Sequence, residues 1–287
     1  MRQALIPVLS VVAALIVIWY VAAVGLNSAW AYNKAERANV ELNLSDLVKD
    51  TLSQEKPRLP APHQVAIETW NTTVEKKITS KRSLVYHGWI TLSSTLLGFA
   101  IGMSMGILLA VGIVHNRAMD ISVMPWAIAS QTIPILAIAP MIIVVLNSIG
   151  IQGLLPKAII SAYLSFFPVV VGMVKGLRSP DRMKLDLLKT YNATRAETFW
   201  KLRLPASVPY LFASLKIGIA ASLVGAIVGE LPTGAVRGLG ARLLAGSYYG
   251  QTIQIWSALL SAAVLAALLV ALINLVQQIT LKRMGML

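Results

Sequence analysis

The chain has no cysteine among its 287 residues. That excludes disulfides, thiol chemistry and cysteine-held metal, and it leaves the compartment open. Histidine is nearly as scarce: His63, His87 and His115 lie far apart with no HExxH spacing, and each reads as an interfacial or surface residue rather than a ligand. No GxxxxGK[ST] loop occurs and no Gly is followed by Lys, so the usual cradle for nucleotide phosphates is missing. Charge is thin and one-sided. Only 13% of residues are charged, with 12 Asp and Glu against 25 Lys and Arg. No acidic residue falls well inside an apolar run, which speaks against buried proton or sodium sites. Paired carboxylates at one depth are also missing, which speaks against a membrane-embedded enzyme. No internal duplication is visible, so any two-fold assembly needs a second chain.

What is abundant is apolar surface. Hydrophobic residues make up 56% of the chain, and the mean hydropathy is +0.70, outside the range of ordinary soluble domains. About 20 apolar residues cross a bilayer. That length predicts six transmembrane helices, near residues 5–26, 85–114, 121–147, 154–174, 206–229 and 253–280. The expected fold is an all-α membrane protein, with kinked helices around Pro134, Pro140 and Pro168. Small residues recur at helical spacing in two spans, at Gly98, Gly102 and Gly106 and at Gly218, Ser222, Gly225 and Gly229. They let helices approach closely, within the chain or at a subunit interface.

Residues 1–26 read as a retained N-terminal transmembrane helix. A cleaved signal peptide ending at Ala29-Trp30-Ala31 is the alternative, against which stand an apolar run of about 22 residues and a charged head of Arg2 alone. Residues 27–83 form an extramembrane segment of nearly balanced charge, with nine Lys and Arg and seven Asp and Glu. Pro57, Pro60 and Pro62 interrupt it, and His63 to Arg82 are expected to form an amphipathic helix on the membrane surface.

Between the fourth and fifth spans lies a polar island, SPDRMKLDLLKTYNATRAETFWKLRLP, from Ser179 to Pro205. Arg178, Arg182, Lys184, Lys189, Arg195, Lys201 and Arg203 outnumber Asp181, Asp186 and Glu197. Basic loops are retained on the cytoplasmic side, so the island faces the cell interior, as do both termini. The extramembrane segment is then periplasmic, and its Lys76, Lys77, Lys81 and Arg82 are tolerated because long segments translocate with less regard to charge. The net charge of +13 is concentrated in these loops, and nucleic acid is not an expected partner. Within the island, Ser179, Pro180 and Asp181 suit the start of one short helix. Asn192 is suited to a left-handed turn. Thr194 and Glu197 fit a capping box that opens a second helix, expected to stop before Pro205. Ala196, Phe199 and Trp200 give that helix an apolar face, the sign of a docking element.

The island resembles the cytoplasmic EAA loop of ATP-binding-cassette (ABC) importer permeases. Aligned on Leu202, Leu204 and Pro205, the family pattern places Asn192 at its glycine and Asp186, Leu187 and Leu188 at its Glu-Ala-Ala. HGWITLSSTLLGFAIGMSMGILLAVGI from His87, LPAP from Leu59, SQTIPILAIAP from Ser130 and GELPTGAVRGLG from Gly229 are similar to further segments of the nitrate, sulfonate, taurine and bicarbonate branch. The likeness implies a type I permease core over residues 84–287, with a coupling loop at 179–205, in a bacterial inner membrane. It implies no catalysis by the chain and no bound cofactor, ATP being held by separate ATPase subunits. A periplasmic binding protein and a second permease copy are the other implied partners. Asp186, Asn192, Ala193, Glu197, Phe199, Trp200, Leu204 and Pro205 are the expected coupling residues.

Gln131, Thr132, Tyr163, Lys216 and Glu230 are the expected pathway residues, for a small anion or a pyrimidine-type vitamin precursor. Lys216, about 16 Å into its span at 1.5 Å per residue, either meets an anion or pairs within the protein. Glu230 either gates the pathway or caps the glycine-rich turn. An ion-gradient-driven secondary transporter remains the alternative function.

Overall fold

The structure is a computed structural model and describes residues 2–39, 41–232 and 237–286. Those residues form helices α1 (Arg2–Ala38), α2 (Leu44–Ser53), α3 (Pro62–Trp70), α4 (Leu84–His115), α5 (Arg117–Ser130) and α6 (Ile135–Ser148). Then come α7 (Leu154–Leu177), α8 (Arg182–Thr190), α9 (Arg195–Thr198), α10 (Leu204–Glu230), α11 (Leu239–Tyr248) and α12 (Thr252–Arg283). No strand occurs among the described residues. α1, α4, α7, α9 continued into α10, and α12 are each long and apolar enough to cross a membrane. The pair α5 and α6, taken as one broken span, makes the sixth.

The chain divides into two compact units, residues 1–87 with 241–262 and residues 88–240 with 263–287. In the first, α1 runs on to Ala38 instead of ending near residue 26, since no proline or glycine interrupts Asn27 to Ala38. Asn27 is fully buried and organises the segment that folds back. Its amide donates to Thr51 O and Leu59 O and accepts from the Arg58 and Leu59 amides. Trp19 Nε1 donates to Pro60 O at 3.0 Å, and Thr252 Oγ1 to Pro57 O at 2.6 Å, so the proline-rich stretch is pinned through its carbonyls. The helix expected from His63 to Arg82 is shorter. α3 passes into a π-turn at Asn71–Glu75 and ends at Lys76, where the backbone becomes extended.

The second unit is built on a tight seam of α4, α7 and α10. A Cβ on Gly98, Gly102 or Gly106 would collide with Ser161, Ser165 or Val169 of α7. A Cβ on Gly225 of α10 would lie 2.7 Å from Ser161 Cα. Both small-residue faces therefore serve packing within the chain. Hydroxyls lock the seam: Ser161 Oγ donates to Ser222 O at 2.9 Å and Ser222 Oγ to Thr95 O at 2.8 Å. Phe99, Val169, Phe212, Leu215, Ile219 and Leu269 fill the adjoining core.

Two expectations for this unit are corrected. Residues 121–147 are not one kinked helix, because α5 and α6 meet at 99° across a break at residues 131–134. Pro134 has no amide to donate and disfavours helical backbone in the residue before it, so the helix cannot run through. The helix after Thr194 does not stop before Pro205. It widens into a π-turn at Phe199–Arg203 and continues as α10, with Pro205 in the first turn, where a missing amide costs little.

Candidate functional site

The basic island folds as a compact two-helix element. α7 ends at Leu177, and Ser179 Oγ bonds back to Gly176 O at 2.7 Å, so Ser179 does not cap the next helix. Asp181 does, accepting from the Met183 amide at 3.4 Å. α8 closes at Asn192, whose φ of 53° is left-handed. The Ala193 amide reaches Leu188 O at 3.0 Å and the Asn192 amide reaches Lys189 O at 2.9 Å, the paired bonds of a Schellman closure with Asn in the usual glycine position. Thr194 and Glu197 form the reciprocal capping box.

The two aromatics of this element separate. Phe199 is half-buried, packs on the core formed by α4 and α7 and meets the His115 ring edge-on at 5.1 Å. Trp200 contacts Phe199 at 5.4 Å but is 65% exposed. Leu204 is half-buried against the same core. Asp186, Asn192 and Tyr191 are exposed, Ala193 and Glu197 half-buried. Two tethers fix the element. Arg178 pairs with Asp120 of α5 at 2.8 Å, and Arg203 donates to Leu177 O at 3.2 Å. Sequence reading missed both, along with His115, since their partners lie distant in sequence and carry no spacing signal.

Of the five expected pathway residues, three come together at the break between α5 and α6. Gln131 and Thr132 occupy it, Thr132 Oγ1 donating to Ala129 O at 2.7 Å. Tyr163 of α7 donates its hydroxyl to Ser130 O. Ser130 Oγ donates to Ala127 O at 2.8 Å, so side chains satisfy carbonyls that the interrupted helix frees. Irregular backbone at membrane depth is tolerated where it is held by protein or lines an aqueous path.

The other two are elsewhere. Lys216 Nζ donates to Asn274 Oδ1 of α12 at 2.8 Å, the internal pairing that its sequence context allowed. Glu230 is fully buried. Its carboxylate accepts from Thr91 Oγ1 at 2.9 Å and from the Gly240 amide at 2.8 Å. Gly238, at a φ of +123°, is wrapped so closely that a Cβ would meet the carboxylate. Glu230 therefore holds the first turn of α11 through the Gly240 amide. Thr233 to Val236, within the glycine-rich turn expected from Gly229 to Gly240, lie outside the described residues.

Residues 102–286 match the family described as binding-protein-dependent transport system inner membrane component. Among curated relatives, a formylaminopyrimidine transport permease of Halalkalibacterium halodurans is 32% identical over 63% of this chain and 68% of that one. A riboflavin transport system permease of Chloroflexus aurantiacus is 30% identical over 78% and 80%. A putative aliphatic sulfonates transport permease of Bacillus subtilis is 22% identical over 72% and 73%. Among solved structures, an inward-facing MetNI methionine ABC transporter chain superposes with a TM-score of 0.50 at 19% identity, covering 77% of this chain and 96% of that one.

Proposed function

We propose, from the premise that this chain belongs to the family of binding-protein-dependent transport system inner membrane components, and so is an integral inner-membrane permease subunit of an ABC importer, that two copies form the pathway for a small heterocyclic solute. A periplasmic binding protein delivers the cargo, and an ATPase docks on each loop at 179–205. Both termini face the cytoplasm, and residues 27–83 face the periplasm. The observation that carries this reading is the island itself. It is rigidly closed by the Asn192 turn and the Thr194–Glu197 box, is anchored through Phe199, and leaves Trp200 uncovered.

Asp186, Asn192, Ala193 and Glu197 set the shape of the docking element. Phe199, Leu204 and Pro205 join it to α10, and Trp200 meets the partner. Motion of the ATPases is thereby passed directly into a continuous helix, since no flexible linker separates α9 from α10. Gln131, Thr132 and Tyr163 supply polar groups to the pathway at the broken span. Such a discontinuous helix is the usual place for a cargo contact in transporters.

A pyrimidine-type or related heterocycle is the cargo class that relatives at 30–32% identity support, over the sulfonate class supported at 22%. The test is uptake by liposomes holding the permease, its ATPase and its binding protein, with labelled formylaminopyrimidine and labelled alkanesulfonate compared. Saturable uptake of the pyrimidine alone is expected. Uptake of the sulfonate alone would move the cargo to the small-anion class.

A further inference from the structure

A cavity of about 350 Å³ lies beneath the basic element, between it and the end of α4. Three cations line it, Lys189 from α8, Arg195 from α9 and Arg203 from the π-turn, beside the Thr198 hydroxyl and the His115 ring of α4. No carboxylate lines it among the described residues. Lys189 reaches Asp186 at 2.9 Å, and Arg203 spends one nitrogen on Leu177 O. Arg195 has no hydrogen-bond acceptor or ion pair among the described residues, so its guanidinium is the donor with capacity to spare. The floor is set by Val114 and His115, the last two residues of an apolar helix 32 residues long. The cavity therefore opens where hydrocarbon gives way to lipid headgroups, the depth at which phosphate is concentrated.

We infer that this cavity is a binding site for a phosphate group, held by Arg195 with Lys189 and Arg203. A guanidinium fork presents two parallel donors that match phosphate oxygens. A lysine and a second arginine on separate elements address the remaining oxygens of a tetrahedral group. The bound anion would tie α8, α9 and the π-turn to the end of α4, and so set where the docking element sits. The inference rests on the membrane-spanning placement of α4 and is independent of the cargo.

The cysteine-free background permits a single Thr198→Cys change carrying an environment-sensitive dye at the cavity wall. The full chain is placed in phosphatidylcholine nanodiscs, and two probes are titrated separately: an increasing fraction of phosphatidylglycerol, and inorganic phosphate. A saturable response is expected. A response to phosphatidylglycerol alone identifies a lipid headgroup as the source, and a response to inorganic phosphate identifies free phosphate. Arg195→Gln should raise the half-saturation point about tenfold, the loss of one charge-assisted hydrogen bond. Arg195→Lys should raise it less, and Arg182→Gln, on the exposed side of the same element, should leave it unchanged.

The site is refuted if neither probe saturates. It is equally refuted if Arg182→Gln shifts the curve as far as Arg195→Gln, which would mean diffuse attraction. A dye response only to added ATPase would assign the cavity to a partner side chain and also overturn the inference. These readings use no transport, so failure of the cargo assignment leaves them unaffected.

Discussion

Replacing Trp200 by Ala separates docking from folding. Trp200 is 65% exposed and an indole side chain buries at most about 250 Å². Covering what is exposed would then remove roughly 100 to 160 Å² from water, which at about 25 cal/mol per Å² contributes about 2 to 4 kcal/mol. At 1.4 kcal/mol per tenfold, the ATPase should bind Trp200→Ala roughly 30-fold to several-hundred-fold more weakly. The chain's own thermal unfolding should barely move, because little of the indole is packed inside it. Phe199→Ala is the contrasting variant: its ring packs on the α4 and α7 core and on His115, so that change should lower the unfolding temperature. Titrating purified ATPase against each permease in nanodiscs reads the first effect, and a thermal melt of the same samples reads the second. ATPase affinity unchanged in Trp200→Ala, with a native melt, would refute the assignment of Trp200 to the docking surface.

Asn192→Gly should be tolerated and raise stability by about 1 kcal/mol at most, since glycine enters the left-handed turn without a side-chain penalty; lost ATPase binding would show that the Asn192 side chain itself contacts the partner. Glu230→Ala would remove the buried carboxylate that accepts from the Gly240 amide and faces Lys157, and removal of one buried charged partner costs about 3 to 5 kcal/mol. A clear fall in unfolding temperature is expected, smaller for Glu230→Gln; a native melt with failed uptake would instead make Glu230 a pathway group. For topology, Tyr191→Cys should resist impermeant thiol reagents applied to intact cells while Thr79→Cys reacts, both positions being exposed; the opposite pattern would invert the assignment.

The class of the fold and the local shape of the island were legible because both are set by residues close in sequence. Span lengths follow from apolar runs, and the Asn192 turn and Thr194–Glu197 box follow from residues within a few positions of one another. The island's junction with α10 was not legible. Pro205 reads as a stop, yet a proline in the first turn after a widened π-turn removes no needed bond. The 99° break in the third span was equally hidden, since Pro134 marks an interruption without giving its angle. Sequence also grouped Phe199 with Trp200 and left Glu230 between a pathway group and a cap for the glycine-rich turn. What parted the aromatics was His115, more than 80 positions earlier, and what enclosed Glu230 was Thr91 on another helix. Periodicity correctly marked the faces with Gly98 and Gly225 as contact surfaces, but only the fold shows that α7 receives both.

The central claim, that this chain conducts cargo only when driven by a docked ATPase, is tested most directly by uptake in proteoliposomes with the energy source controlled. Uptake should require the ATPase subunit and ATP, and it should persist when ionophores collapse every proton and sodium gradient. Transport by the purified permease alone, driven by an imposed proton or sodium gradient and indifferent to ATP, would contradict the account.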